Sequence, residues 1–573
     1  MIQIKKPKQR TIRSIFYFFI GCMIIGIIRL YYLQIMCNKQ LLLQSEHNFV
    51  RLEKIPQPRG NITDTNGYII ATNKPIINLF WQGTGQKRFT TQQIRLLEDI
   101  EKILETTFSD EDRKKIYYAE QFEKQSLISP DIDFQKLALL AEQLGHHTNI
   151  MIKSSFKRHY PYRKLASHII GYLSYQSEPN GRMGLEKIYH DTLKGDPEIK
   201  KRTVNAIGKS LREEAFKVGT AGQTIQTTLN FTLQQFAEEL FPYDWAGSMI
   251  VMDPESGALR VVISRPSFDP GIFLKSISHE EWAKIQNKRP FLNRAFEACY
   301  PPASLFKLVV ATAALEHNIV TPKTKTFCNG FINYGGRRCH CNKRDGHGEV
   351  NFKEAVALSC NIIFYEIGKR ISIDTIADYA YRFGLGKPTG IHFPEKIGLI
   401  PSSEWKLKNK GERWWQGETV SASIGQTYLL ATPLQIARMQ SAIFSGVLTQ
   451  PRILEHEPII QTPLDINPKT LRFLKKSMRA TVEEGTGKRL RDIEDLIIYA
   501  KTGTAQISSL KQRMLKSEEC REHAWFLGAF SCKEEKPLVI VILVEHAGGS
   551  RAPTSIARKF LIKYRDYMNQ TYI

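Results

Sequence analysis

Three runs decide the fold: LIIYAKTGTAQ (496–506), HAWFLGAFS (523–531) and PLVIVILVEHAG (537–548). Each is short, rich in β-branched and aromatic residues, and bounded by polar or turn residues, as strands are. The charged turn CKEEKP (532–537) joins the last two. Upstream, AGSMIVMDPESGALRVVISR (246–265) reads as a hairpin that turns at Pro254 to Gly257. PASLFKLVVATAALEHN (302–318) is apolar all round, which predicts a buried helix. TLNFTLQQFAEELF (228–241) has helical spacing, and SIARKFLIKYRDYM (555–568) closes the chain as a further helix. Strands that pair locally, with helices before, between and after them, predict an α+β fold with helices around an antiparallel sheet.

Working outward, the region before this unit is of a different kind. Residues 45–220 read as a mixed α/β pedestal, with turn signals at Pro58 and Asn66-Gly67 and charged helices over 92–145. The polar passage VGTAGQ (218–223) marks a boundary, so the second domain is placed at 235–573. Residues 1–36 form a tail and an anchor. Lys5, Lys6, Lys8, Arg10 and Arg13 precede SIFYFFIGCMIIGIIRLYYLQIM (14–36), long enough as a helix to span a bilayer core of about 30 Å. The basic flank puts the N-terminus in the cytoplasm and the rest outside. A cleaved signal peptide is the rival reading, but no small-residue cleavage site follows. The chain is thus expected to be a single-pass membrane protein with a short cytoplasmic tail and the rest exported.

Composition excludes several classes. With 42% hydrophobic and 24% charged residues in 573, the chain is neither disordered nor polytopic. The net charge of +23 suits an anionic surface or polymer. No zinc-finger pair, RNA-recognition signature or phosphate loop accompanies it, so no nucleic-acid partner is expected. Nine cysteines are too few for a disulfide scaffold.

Three short motifs carry chemistry, in order. Ser304 and Lys307 stand at i, i+3, on one face of the apolar helix. Burial lowers a lysine pKa, so a neutral Lys307 can take the Ser304 proton. Ser359-Cys360-Asn361 offers a hydroxyl and an amide. Lys501-Thr502-Gly503-Thr504 ends a strand. There Lys501 and the threonine hydroxyls suit a carboxylate, and Gly503 leaves room for a ligand along the strand edge. Each motif alone is weak; the ordered set is specific.

The set resembles that of the class B penicillin-binding proteins. FLNRAFEACYPPASLFK (291–307), SIGQTYLLATPLQIA (423–437), AKTGTAQ (500–506) and HAWFLGAF (523–530) resemble family segments. So do PRGNITDTNG (58–67) and GLEKIY (184–189). Two departures are Thr65, where Arg is frequent, and Ala303, where Gly is common; neither is expected to touch the chemistry. The resemblance implies a D,D-transpeptidase of peptidoglycan synthesis. Ser304 would attack the penultimate D-Ala carbonyl of a stem peptide, with Lys307 as base. Ser359 and Lys501 would relay a proton to the leaving amine. Asn361 would hold the substrate amide, and Thr502 and Thr504 its terminal carboxylate. β-Lactams would acylate the same serine.

Between the first two motifs lies a Cys/His cluster: Cys328, Cys339, Cys341, His347 and Cys360, with His340 a further candidate. Such spacing suits tetrahedral zinc, while a disulfide pair is the rival reading in an exported protein. The elongation-type members, the penicillin-binding protein 2 group, carry in some lineages a structural zinc held by the histidine of a Gly-His-Gly and a cysteine within S-x-N. Those positions match His347 and Cys360. Cys328 and Cys341 would complete a Cys₃His site, with Cys339 as substitute for Cys341. The resemblance thus implies cross-linking during cell elongation, beside a RodA-type membrane glycosyltransferase and elongation scaffold proteins. A division-specific transpeptidase, a hydrolytic relative, and a non-catalytic penicillin sensor or scaffold are the alternatives. Cys520 and Cys532 flank HAWFLGAF as a disulfide or as two thiols, and His523 reads as structural.

Overall fold

The computed structural model describes residues 9–39, 41, 50–174, 179–204, 210–506, 521–532 and 535–571. Cys520, one half of the suggested disulfide, lies outside them. Gln9–Tyr31 is a helix that runs on through Tyr32–Met36. Among the described residues it is the one helix long and apolar enough to cross a membrane.

The remainder forms two compact units. One comprises 73–157 and 194–222 with the N-terminal residues to 59; the other comprises 60–72, 158–193 and 223–573.

In the first unit, Val50–Ile55, Glu198–Val204 and Ser210–Lys217 make a three-stranded antiparallel sheet. Helices Thr91–Leu104, Asp110–Gln121 and Phe134–Leu144 each begin at a side-chain cap, at Thr90, Ser109 and Asp133. Those oxygens take up backbone N–H groups that a helix start leaves unbonded. The helices bury Leu96, Ile100, Ile116 and Leu140 with Leu79 and Trp81.

In the second unit the sheet order is Leu259–Arg265, Gly247–Met252, Leu538–Val544, His523–Cys532, Leu496–Ala505, antiparallel throughout. The predicted hairpin at 246–265 and the three C-terminal strands are all in it. The two inner C-terminal strands are buried at nearly every position, because helices cover both faces. One face carries Phe231–Leu240 and Arg551–Thr571; their Leu233 and Phe560, with Phe241 just after the first, share a core cluster with Phe526 and Phe530. The other carries Lys307–Glu316 and Pro433–Ser445. Strands enclosed on both sides need no polar alternation, which is why they read as continuous apolar runs. The expected α+β architecture is the observed one. Arg260 donates both to the Thr65 hydroxyl (3.2 Å) and to Glu455 (3.3 Å), and Thr65 in turn donates to Glu455 at 2.6 Å.

Candidate active site

Ser304 lies on a 3₁₀ turn, Ala303–Leu305, that leads into the Lys307–Glu316 helix. The turn is clamped from two sides. Trp525 Nε1 donates to Pro301 O at 2.9 Å, and Ala303 N donates to Gly425 O at 3.1 Å. Ala303 itself is left-handed, φ 51°, a region that costs an L-residue about 1–2 kcal/mol. The departure at 303 therefore does bear on the site, through the backbone immediately before the nucleophile.

Lys307 is fully buried one turn on. Its Nζ donates to Ser359 O (2.8 Å), Ser359 Oγ (3.3 Å) and Asn361 Oδ1 (2.6 Å). Burial pushes its amine down to about 8, against weaker upward pulls from Cys360 and Cys341. Lys501 Nζ donates to Ser359 Oγ (2.8 Å) and Thr502 O (3.3 Å). Burial, then the charge of Lys307, hold Lys501 well below the ordinary lysine range. Three acceptors are the number an ammonium on Lys307 can serve. Ser359, left-handed at φ 57°, carries the hydroxyl that both lysines reach.

Two site residues behave differently from expectation. Gly503 does not border an open edge: a Cβ there would lie 3.3 Å from Trp525 Cβ, 3.4 Å from Leu305 Cγ and 3.5 Å from Pro302 O. Its missing side chain is what lets the nucleophile turn lie against the strand. Thr502 donates its hydroxyl to Thr486 Oγ1 at 2.7 Å, while Thr504 is exposed and free to meet a ligand. Thr486 and Gly425 escaped the reading of the sequence. Gly425 lies in the quoted 423–437 segment, but nothing marked it as a neighbour of Ala303, and Thr486 carried no signal.

Cys328, Cys341, His347 and Cys360 converge, with ligand atoms all within 4.8 Å of one another. Cys328 Sγ and Cys341 Sγ each lie 3.5 Å from His347 Nδ1, and Cys341 Sγ lies 3.8 Å from Cys360 Sγ. Zinc bonded to sulfur at about 2.3 Å and nitrogen at about 2.0 Å, at tetrahedral angles, separates such atoms by about 3.8 and 3.5 Å. The donor set therefore fits that ion. The shared sulfur contact holds Cys341 down to about 4 and pushes Cys360 up, so a thiolate is ready in the site. Gly346 makes the approach possible: at φ +79° a Cβ would sit 2.1 Å from Cys328 O. Cys339 lies on the Phe331–Tyr334/Arg337–His340 hairpin, opposite Ile332, outside the group of four.

The cluster and the catalytic residues are joined. Asn361 N donates to Cys341 Sγ (3.3 Å), and Asn361 Nδ2 donates to His340 O (2.9 Å). Both ends of the Asn361 amide are thus engaged, one by Lys307 and one by the hairpin. His523, read as structural, is neutral. Burial, then His546, push it down to about 4, and its Nδ1 accepts from His546 N at 3.1 Å.

A serine beside two buried lysines that share a second serine is an acyl-transfer centre. Residues 247–562 match the family model of the penicillin binding protein transpeptidase domain, and 54–227 that of the penicillin-binding protein dimerisation domain. The chain belongs to the penicillin-binding protein transpeptidase family. It is 29% identical to the peptidoglycan D,D-transpeptidase MrdA of Haemophilus influenzae, over 94% of this chain and 89% of that one. A structure of penicillin-binding protein 2 from Helicobacter pylori in complex with MreC superposes at TM-score 0.77 and 28% identity, covering 91% of this chain and 100% of that one. A chain from a peptidoglycan synthase complex that coordinates polymerization and crosslinking superposes at 0.73 and 27%, covering 98% and 99%.

Proposed function

We propose that this chain is an elongation-type peptidoglycan D,D-transpeptidase with Ser304 as its nucleophile. The observation that carries this is the hydrogen-bonded set Lys307–Ser359–Lys501 beside Ser304. A neutral Lys307 takes the Ser304 proton as Oγ bonds to the penultimate D-Ala carbonyl carbon. That proton passes from Lys307 through the Ser359 hydroxyl, which both lysines reach, so that Ser359 and Lys501 deliver one proton to the departing D-Ala nitrogen as the C–N bond breaks and Lys307 is neutral again. The amine of a second stem peptide then attacks the ester carbon, gives up one N–H proton to Lys307, and releases Ser304 Oγ, which takes that proton back. Thr504 faces the donor's terminal carboxylate, with Thr502 oriented by Thr486.

Cys328, Cys341, His347 and Cys360 would hold a zinc ion, which when bound supplies structure, not acid–base chemistry. The residues that feel it are Ser359 and Asn361, the flanks of Cys360. The Arg13–Met36 helix would anchor the chain in the inner membrane, with the catalytic unit outside. The penicillin-binding protein 2 bound to MreC supports an elongation scaffold as partner, with a RodA-type glycosyltransferase as the second.

Native intact-mass spectrometry after fluorescent penicillin tests the assignment. The chain is expected to gain one stable adduct, and Ser304→Ala none. No adduct on the parent chain would refute the reading, and an adduct on Ser304→Ala would refute the assignment of Ser304. A zinc mass in the parent would establish the metal.

A further inference from the structure

The Phe331–Tyr334/Arg337–His340 hairpin and the turn after it carry four cations, Arg337, Arg338, Lys343 and Arg344, against one acid, Asp345. All four are exposed, and none is ion-paired among the described residues. Exposed charge alone is ordinary. What distinguishes this group is its attachment to the catalytic centre.

The hairpin is fixed to the site by several bonds. His340 O accepts from Asn361 Nδ2 (2.9 Å) and from the Tyr365 hydroxyl (3.3 Å). Asn342 Nδ2 donates to Leu358 O at 3.1 Å, one residue before Ser359. Arg338 and Arg344 both lie close enough to act on the His340 ring. Arg338 also stacks on Phe331, 4.2 Å from the ring centre, whereas Lys369, over Tyr334 at 5.7 Å, is ion-paired with Glu366 at 2.7 Å and adds no free charge. The positive group is thus held together, against its own repulsion, on an element bonded to Asn361.

A substrate answers such a surface if it brings carboxylates. A stem peptide does, and two of them enter the reaction. The donor's terminal carboxylate already has Thr504 and the strand beside it. The acceptor must deliver an uncharged amine to the acyl-enzyme while its other ionised groups are carboxylates. Cations satisfy both demands, because they attract the carboxylates and disfavour the protonated amine.

We propose that this hairpin is the acceptor subsite, which reads the carboxylates of the stem peptide whose amine resolves the acyl-enzyme. It rests on the transpeptidase reading above. Arg337 and Arg344 would bind carboxylate directly, and Arg338, on the Phe331 ring, would hold the field between them.

The test uses the full chain, a depsipeptide donor that loads Ser304, and two acceptors. One is a diamino-acid tripeptide with free carboxylates, and the other is the same tripeptide amidated. Arg337→Glu/Arg344→Glu is expected to raise the KM for the free acid about tenfold, as reversal of two rim charges does. The kcat, and the amidated acceptor, are expected to change less than about twofold. Arg337→Lys/Arg344→Lys should restore most of the loss, and about 0.5 M salt should erase the difference. An unchanged KM for the free acid would overturn the proposal. So would an equal loss with both acceptors, or a loss confined to donor acylation. If the double variant melts early, Arg337→Ala is judged by the same criteria. A parent chain that the donor fails to load removes the transpeptidase reading itself, a result distinct from all of these.

Discussion

Acylation of Ser304 is expected to accelerate about tenfold between pH 7 and pH 9 and then to level off. The perturbation is pH alone, and the magnitude follows from Lys307. Its ammonium donates to three acceptors, and burial holds it near 8. With a value of about 8, roughly one amine in eleven is neutral at pH 7 and about ten in eleven at pH 9. If the neutral amine is the base, the rate tracks that fraction, with unit slope below 8 and none above 9. Burial, then the charge of Lys307, also hold Lys501 well below the ordinary lysine range. A solvent-exposed lysine would instead give about a hundredfold rise over the same interval, still climbing at pH 10. The assay is stopped-flow acylation by a fluorescent penicillin, read as the second-order rate constant from pH 6 to 10.5. A profile still rising with unit slope at pH 10 would refute the buried-base argument. A flat profile from pH 6 would refute Lys307 as the base.

Cys360→Ser is expected to lower the native mass by one zinc, reduce the melting temperature and slow acylation about tenfold or more, since Cys360 lies between two catalytic side chains. Zinc retained at full stoichiometry would argue against its place in the site. For Gly503→Ala, the added carbon meets Trp525 Cβ at 3.3 Å and touches Leu305 Cγ at 3.4 Å, so Trp525, which holds the nucleophile turn through Pro301 O, must give by a few tenths of an ångström. Acylation is expected to fall about tenfold while β-lactam retention, once bound, is unchanged. An unaltered acylation rate would show that the turn has slack.

Much of this site could be read from the chain because its parts are local. Ser304 and Lys307 are one helical turn apart, Ser359 and Asn361 are two residues apart, and Lys501 to Thr504 are consecutive. Spacing alone places each set on a common face or loop. The sheet was readable for a similar reason, since strands covered on both sides are unbroken apolar runs. Contacts between distant segments were not. The bond from Asn361 to the His340 carbonyl depends on a hairpin folding back over the S-x-N loop. The Thr502–Thr486 contact joins a strand to a turn that carried no motif. Gly503 looked like room for a ligand because its real neighbours, Trp525 and Leu305, come from other segments. Ala303 looked like a tolerated departure because its left-handed backbone is a property of the Gly425 contact, which no spacing reveals.

The order of strands in the catalytic sheet has a consequence for biosynthesis. Leu538–Val544 lies between Gly247–Met252 and His523–Cys532, so the seam between the early and late halves of the sheet is filled by its most recently made strand. While the ribosome is still short of that strand, the Lys501 strand has no seat on the rest of the sheet. The nucleophile helix, more than two hundred residues earlier in synthesis, waits without its partners. The pairing of Leu538–Val544 with Gly247–Met252 is distant in sequence, and such pairings form slowly. The Lys501 strand therefore joins the Lys307–Ser359–Asn361 group only after Leu538–Val544 has been made.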